Sequence, residues 1–162
     1  MVRRINLKVN GYRRSVEVKD NELLLDVLRD KLKIKGLKPA CWRGECGLCT
    51  VILNGKLVKS CLVLAVEVDG SEIVTVEGLA RDGELTPLQR AFIEHGALQC
   101  GFCTPAFVLA SHQLLLENPD PSDEEIKERL SGILCRCGTY YEIIEAIKSA
   151  SKYYRKDVTD RS

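Results

Sequence analysis

The chain has 162 residues, with 24 Lys+Arg against 23 Asp+Glu and a formal net charge of +1. That length allows one ordinary domain or two small ones. The balanced charge argues against a nucleic-acid binder, and 45% hydrophobic with 29% charged residues is a globular mix and not a disordered one. Apolar runs such as Leu62 to Val66 and Ala106 to Ala110 are too short to span a membrane. The start alternates apolar with polar residues and lacks a signal peptide's apolar core, so a cytoplasmic location is expected.

In chain order, Arg4 to Val9 and Arg14 to Val18 alternate as strands around Asn10-Gly11, a two-residue hairpin signal. Asp20 is the predicted N-cap of a helix whose broad apolar face carries Leu24, Leu25, Val27, Leu28 and Leu32, and Gly36 is its predicted end. Residues 36–49 form a long loop with Cys41, Cys46 and Cys49. A second hairpin follows, Thr50 to Leu53 and Lys56 to Ser60 around Asn54-Gly55, and it returns Cys61 toward that loop. Residues 72–76 read as a further strand. Strands with one helix suggest an α+β sheet with the helix across one face.

The second half reads as helices, after a polar, turn-like boundary at Arg81-Asp82-Gly83-Glu84. Thr86-Pro87-Leu88-Gln89 is a capping box with Pro at the first helical position; Leu88, Ala91 and Phe92 form the inner stripe, and Gly96 stops the helix. Thr104-Pro105 starts a helix to about Glu117 that is apolar all round over Ala106 to Ala110, as a buried bundle helix would be. Ser122 to Glu125 and Thr139 to Glu142 are two more capping boxes. They precede helices that bury Ile126 and Leu130, then Ile143, Ile144, Ile147 and Ala150. After about Tyr154 the tail is charged and aperiodic, so it is expected to fray. Four helices suggest a small bundle.

The eight cysteines fall into two sets of four, one per half. Cys41, Cys46, Cys49 and Cys61 have the C-x4-C-x2-C…C spacing of plant-type 2Fe–2S ferredoxins. Cys100 and Cys103 form C-x2-C, and thirty-one residues later Cys135 and Cys137 form C-x-C. Structural zinc sites usually pair two C-x2-C knuckles, and neither set does so. Disulfides are disfavoured in a reducing compartment. Two His, neither beside a cysteine motif, argue against a Rieske centre; His95 and His112 read as packed or solvent-edge helix residues. Both pairs of the second set immediately precede helix starts, where free N–H groups and the positive dipole end favour thiolates. Trp42 and Arg43, inside the first cysteine loop, either shield a cluster, meet a partner or simply pack the loop.

These motifs together resemble the small iron–sulfur subunit of the molybdenum hydroxylases, the family of xanthine dehydrogenases, aldehyde oxidoreductases and aerobic carbon monoxide dehydrogenases. The resemblance is carried by GLKPACWRGECGLCTVILNGKLVKSCL at 36–62, EGLA at 77–80, LQCGFCTPA at 98–106 and LCRCGTYYEIIEAI at 134–147. It covers about Ile5 to Ala150. It implies an N-terminal β-grasp ferredoxin-like domain over 1–80 and an all-α four-helix bundle domain over 81–162, an α+β fold. It implies that Cys41, Cys46, Cys49 and Cys61 bind the cluster nearer a flavin, and that Cys100, Cys103, Cys135 and Cys137 bind the one nearer the molybdenum. Gln99 matches the family's glutamine that contacts the molybdopterin, and Cys137 is expected near the pterin through its backbone. The chain departs from the pattern at Ala40 and Ala106, where glycine is usual, at Ile133 in place of asparagine, and at Gly138-Thr139, which reverses the usual Thr-Gly.

The implied role is electron transfer within a heterotrimer. A large molybdopterin subunit oxidises the substrate, and the two 2Fe–2S clusters of this chain pass single electrons to FAD on a medium subunit. No substrate chemistry, nucleic acid or membrane span is expected on this chain. Two other readings stay open from the residues alone, a free-standing two-cluster electron carrier and a zinc-stabilised interaction module. The balanced charge and the helical second half speak against the carrier, which usually presents an acidic docking surface. Iron–sulfur protein is red-brown and zinc protein colourless, which separates the module.

Overall fold

Alternation puts Ile5, Leu7 and Val9 on the buried face of β1 (Val2–Val9). Asn10 and Gly11, both at positive φ, then turn the chain into β2 (Tyr12–Lys19), as a primed hairpin turn requires. Asn54-Gly55 repeats the device between β3 (Thr50–Leu53) and β4 (Lys56–Lys59). The last strand, β5 (Glu72–Val74), inserts between the two hairpins, parallel to β1 and antiparallel to β3. The sheet order is β2-β1-β5-β3-β4. This computed structural model describes residues 1–80 and 82–159, with side chains through Arg155. The chain divides into two units, the first spanning Met1–Leu79 and the second starting at Ala80.

The helix of the first unit is not the regular one that the spacing predicts. α1 (Leu24–Asp26) is a single short turn that opens into a wide π turn over Val27–Lys31. Leu24, Leu25, Val27 and Leu28 are all buried, in one core with Ile5, Leu7, Val51 and Ile73. The expected N-cap, Asp20, instead pairs with the Arg3 guanidinium at 2.7 Å, and Leu23 stands at the cap position. The helix ends earlier than Gly36. Lys33 takes the left-handed conformation (φ +61) and the Ile34 N–H reaches back to the Leu28 carbonyl, the geometry usual for a C-terminal glycine. A mixed sheet with a helix on one face is the expected ferredoxin-like α+β arrangement.

The second unit is helical: α2 (Pro87–Glu94), α3 (Thr104–Glu117), α4 (Asp123–Leu130) and α5 (Tyr140–Thr159). Thr86 and Gln89 close the expected capping box at α2, and Ser122 and Glu125 close the one at α4. α3 packs against all three other helices, and Ala106 to Ala110 are buried without a break. In α5, Ile143, Ile147 and Ala150 are buried as predicted, while Ile144 is half-buried and Ala146 takes the inner position. Two expectations are corrected. The capping box at Thr139 and Glu142 is not among the hydrogen bonds of the described residues, because the Thr139 hydroxyl lies against a cysteine sulfur. The segment after Tyr154 continues α5 as far as Thr159; residues 160–162 lie outside the described ones. At the predicted boundary, Asp82 and Gly83 have positive φ, while Arg81 is outside the described residues. Among the described residues no helix is long and apolar enough to cross a membrane.

Candidate iron–sulfur sites

The first cysteine loop is tied down along its length. The Gly36 N–H donates to Glu77 Oε1 at 2.6 Å and the Arg29 guanidinium to the Leu37 carbonyl at 2.7 Å. Further on, Lys59 Nζ donates to the Gly44 carbonyl at 2.6 Å and the Thr50 hydroxyl to the Gly47 carbonyl at 2.6 Å. The buried Ser60 donates to the Cys49 carbonyl from both its hydroxyl (2.7 Å) and its N–H (3.3 Å). Ser60–Leu62 forms a 3₁₀ turn at the end of β4, which brings Cys61 back to Cys49. Gly44 sits at φ +77, a left-handed conformation that favours glycine, and a Cβ there would press on the exposed Leu62 side chain at 2.5 Å.

The electrostatics inside this loop are uneven. Backbone N–H groups of Cys46, Arg43 and Glu45 aim at the Cys41 sulfur and hold its pKa down to about 6; the Cys46 N–H lies 3.4 Å away. Burial, then the neighbouring Cys49 sulfur, pushes the Cys61 thiol up to about 11. A concave run of N–H groups facing a sulfur suits an anion. Trp42 is half exposed at φ +52, and its indole N–H lies 3.4 Å from an Asp26 carboxylate oxygen.

The second set is built on helix starts, as the sequence predicts. Cys103 is the residue before α3, and Cys135 and Cys137 lie in the turn that leads into α5. Burial, then Cys135, raises the Cys103 thiol to about 12. For Cys135 burial works upward, but hydrogen bonds from Thr139 and its backbone prevail and lower it to about 7. The Phe102 N–H, then Cys137, lowers the exposed Cys100 thiol. Gly101 (φ +78) and Gly138 (φ +83) make the two turns. Ala40 and Ala106 are not among the positive-φ residues, so alanine is accommodated at both.

Among the described residues no three Cys, His, Asp or Glu side chains converge on a single ion position. Within each set, however, the sulfurs lie near enough to act on one another: Cys41 with Cys46 and Cys61, Cys49 with Cys61, Cys100 with Cys137 and Cys135, and Cys103 with Cys135 and Cys100. A two-iron cluster takes two thiolates per iron, four in all, and each set supplies four neighbouring sulfurs. No disulfide joins any of the eight cysteines. Gln99 is exposed, and no side-chain hydrogen bond of it is found among the described residues. His95 is exposed at the end of α2; His112 is half-buried and lies 2.7 Å from the Tyr154 hydroxyl.

Some supporting residues are invisible to motif spacing. The Tyr140 hydroxyl accepts from the Cys135 N–H at 2.8 Å, with its ring edge-on to the buried Phe107. Ser60 and Lys59 carry no signal beyond their nearness to Cys61. Glu77 belongs to the EGLA stretch, whose role only the fold shows.

A 2Fe–2S iron–sulfur cluster binding domain model matches residues 7–80, and a [2Fe–2S] binding domain model matches residues 75–148. The chain is 49% identical over 146 residues to the nicotinate dehydrogenase small FeS subunit of Eubacterium barkeri, covering 90% of this chain and 93% of that protein. It is 51% identical over 146 residues to the nicotine 6-hydroxylase small subunit of Paenarthrobacter nicotinovorans, covering 90% and 88%. Among solved structures, a chain of quinoline 2-oxidoreductase from Pseudomonas putida 86 superposes with a TM-score of 0.92 at 41% identity, over 96% of this chain and 97% of that one.

Proposed function

The chain belongs to the family of iron–sulfur small subunits of molybdenum hydroxylases, and we propose that it passes single electrons from a molybdopterin site on a large subunit to FAD on a medium subunit. It is a subunit of an oxidoreductase and carries two 2Fe–2S clusters. When bound, each cluster accepts and releases one electron at a time. Cys41, Cys46, Cys49 and Cys61 hold the cluster on the flavin side. Cys100, Cys103, Cys135 and Cys137 hold the one on the molybdenum side. Gln99 contacts the pterin, a reading supported by its exposed side chain beside Cys100. Its amide both donates and accepts, which suits the mixed edge of a pterin. Cys137 approaches the same group through its backbone.

The observation that carries this reading is the nearness of the sulfurs within each set of four, each set lying in one unit of the fold. The protein's own work is to hold thiolates with N–H donors and to bury them. An obligate complex is favoured over a free carrier by the surface around the second set. Leu98, Phe102, Leu134 and Tyr141 are all at least 40% exposed there. Apolar side chains grouped in this way are what a partner covers. Eight cysteines given to iron and not to disulfides suit the reducing cytoplasm.

Metal analysis tests the proposal. Anaerobically purified protein should hold about four iron and four acid-labile sulfide per chain and, once reduced, show two distinct paramagnetic signals. It should co-purify with molybdopterin and FAD subunits. Stoichiometric zinc without iron overturns the cluster assignment; full iron in a chain that stays monomeric overturns the complex.

A further inference from the structure

We propose that the Thr139 hydroxyl donates a hydrogen bond to the Cys135 thiolate and thereby raises the reduction potential of the second cluster. The proposal rests on the reading that Cys135 ligates that cluster. Thr139 and Cys135 are both buried, and Oγ1 lies 3.2 Å from Sγ. Either atom could donate in the free thiol. A metal-bound thiolate has no proton, so with iron in place the hydroxyl is the donor. A buried hydroxyl left without an acceptor is costly, and among the described residues this sulfur is the partner of the Thr139 hydroxyl.

The contact is fixed by its surroundings. The Thr139 carbonyl accepts the Ile143 N–H at 3.1 Å, which anchors the residue at the start of α5. The Cys135 N–H is held by the Tyr140 hydroxyl at 2.8 Å, and the Tyr140 ring stands edge-on to Phe107 with centroids 6.0 Å apart. Both ends of the Cys135–Tyr140 turn are therefore positioned, and the sulfur–oxygen distance follows from them. Gly138 takes φ +83. In the reversed order Thr-Gly, a β-branched residue would occupy this left-handed position, which disfavours it strongly. The local backbone thus demands the order Gly138-Thr139, and that order sets the hydroxyl on the sulfur.

Reduction adds negative charge to a cluster, and a hydrogen bond to a ligating sulfur stabilises the more negative form. Thr139 is a positioning and tuning residue and touches no substrate. The donors on Cys41 are backbone groups that substitution cannot remove. This one is a side chain and can be removed.

The experiment compares Thr139→Val, Thr139→Ala and Thr139→Ser in the full iron-loaded chain with its partner subunits. Iron content is measured, and both paramagnetic signals are followed through a potentiometric titration. The Val and Ala variants should keep about four iron and shift one signal to lower potential, leaving the other in place. Thr139→Ser, which keeps the hydroxyl, should stay close to wild type. Unchanged potentials at full iron in the Val or Ala variant overturn the proposal, and so does an equal shift of both signals. Loss of iron in both hydroxyl-free variants with retention in Thr139→Ser also overturns it, since the hydroxyl would then act in assembly and not in tuning. A Cys135→Ser variant that leaves both signals of the wild type intact would instead overturn the ligand assignment beneath it.

Discussion

At the scale of single residues, the EGLA stretch shows how much one small network does. Asn10, in the first hairpin turn, holds Thr75 from both sides: its amide donates to the Thr75 hydroxyl at 2.9 Å and its carbonyl accepts the Thr75 N–H at 2.8 Å. The Thr75 hydroxyl donates onward to Glu77 Oε2 at 2.6 Å, and the other Glu77 oxygen takes the Gly36 N–H at the mouth of the cysteine loop. The turn of β1–β2 is thus coupled to the loop that carries Cys41. Gly78 is required by the same network, because a Cβ there would come within 2.2 Å of Asn10 Oδ1. Asn10 cannot swing aside without giving up its bonds to Thr75. Gly78→Ala should therefore destabilise the first unit by about 1–3 kcal/mol, read as a lower denaturation midpoint. In an Asn10→Gly background, which removes the obstructing side chain and keeps the positive φ, the added cost of Gly78→Ala should largely vanish. Equal costs in both backgrounds would show that the contact is not the cause.

At the scale of elements, what was legible in the sequence was what a local rule encodes. Asn10-Gly11 and Asn54-Gly55 marked both hairpins because a primed turn needs two positive φ values. Thr86 with Gln89 and Ser122 with Glu125 marked two helix starts because each side chain answers the other's backbone. The cysteine motifs were legible because their short spacings, and their places in a loop or before a helix start, are local features. The rest depended on distant partners. Thr139 fitted the capping pattern equally well, but a sulfur four residues back took its hydroxyl. Asp20 looked like a cap and was claimed by Arg3 across the hairpin. Gly36 looked like a helix end, whereas its lack of a side chain serves the close approach of Val76 and Glu77, 2.6 Å from where a Cβ would be. The true end is Lys33 at φ +61, after a wide turn that no apolar periodicity of 3.6 describes. Lys33 is exposed, so its conformation can be tested without disturbing the core. A lysine in the left-handed region costs about 1–2 kcal/mol, and glycine returns about 0.4–1 kcal/mol of that through the entropy of the unfolded chain. Lys33→Gly should thus raise stability by roughly 0.5 kcal/mol, seen as a small upward shift of the melting temperature. A decrease would place the stabilising contribution in the lysine side chain and not in the backbone.

At the scale of the whole molecule, each cysteine set lies within one unit, and so does the core that supports it. Among the described residues, the buried cluster around Cys49 and Cys61 draws on the first unit, from Ile5 to Ile73. The second set rests on α3 and α5, whose buried residues include Phe107, Leu109, Ile143 and Ile147. Separate cores make separate folding consequences the expected behaviour. Cys49→Ala removes one thiolate from the first set, and a cluster short of a ligand is lost or severely weakened. Iron should then fall from about four to about two per chain and one paramagnetic signal should vanish, with far-ultraviolet helicity preserved because α2 to α5 belong to the other unit. Cys135→Ala should remove the other signal and leave the first. Within the assembled complex the two variants should also differ in kinetics under the proposed electron path. With Cys135→Ala, substrate should no longer reduce the first cluster, because the step next to the molybdenum is broken. With Cys49→Ala, substrate should still reduce the second cluster, and only transfer onward to the flavin should stop. Rapid mixing with substrate, following each signal by freeze-quench, separates these cases. Reduction of the first cluster at wild-type rate in Cys135→Ala would reverse the assigned order, and loss of both signals with either variant would show that the two units do not hold their clusters independently.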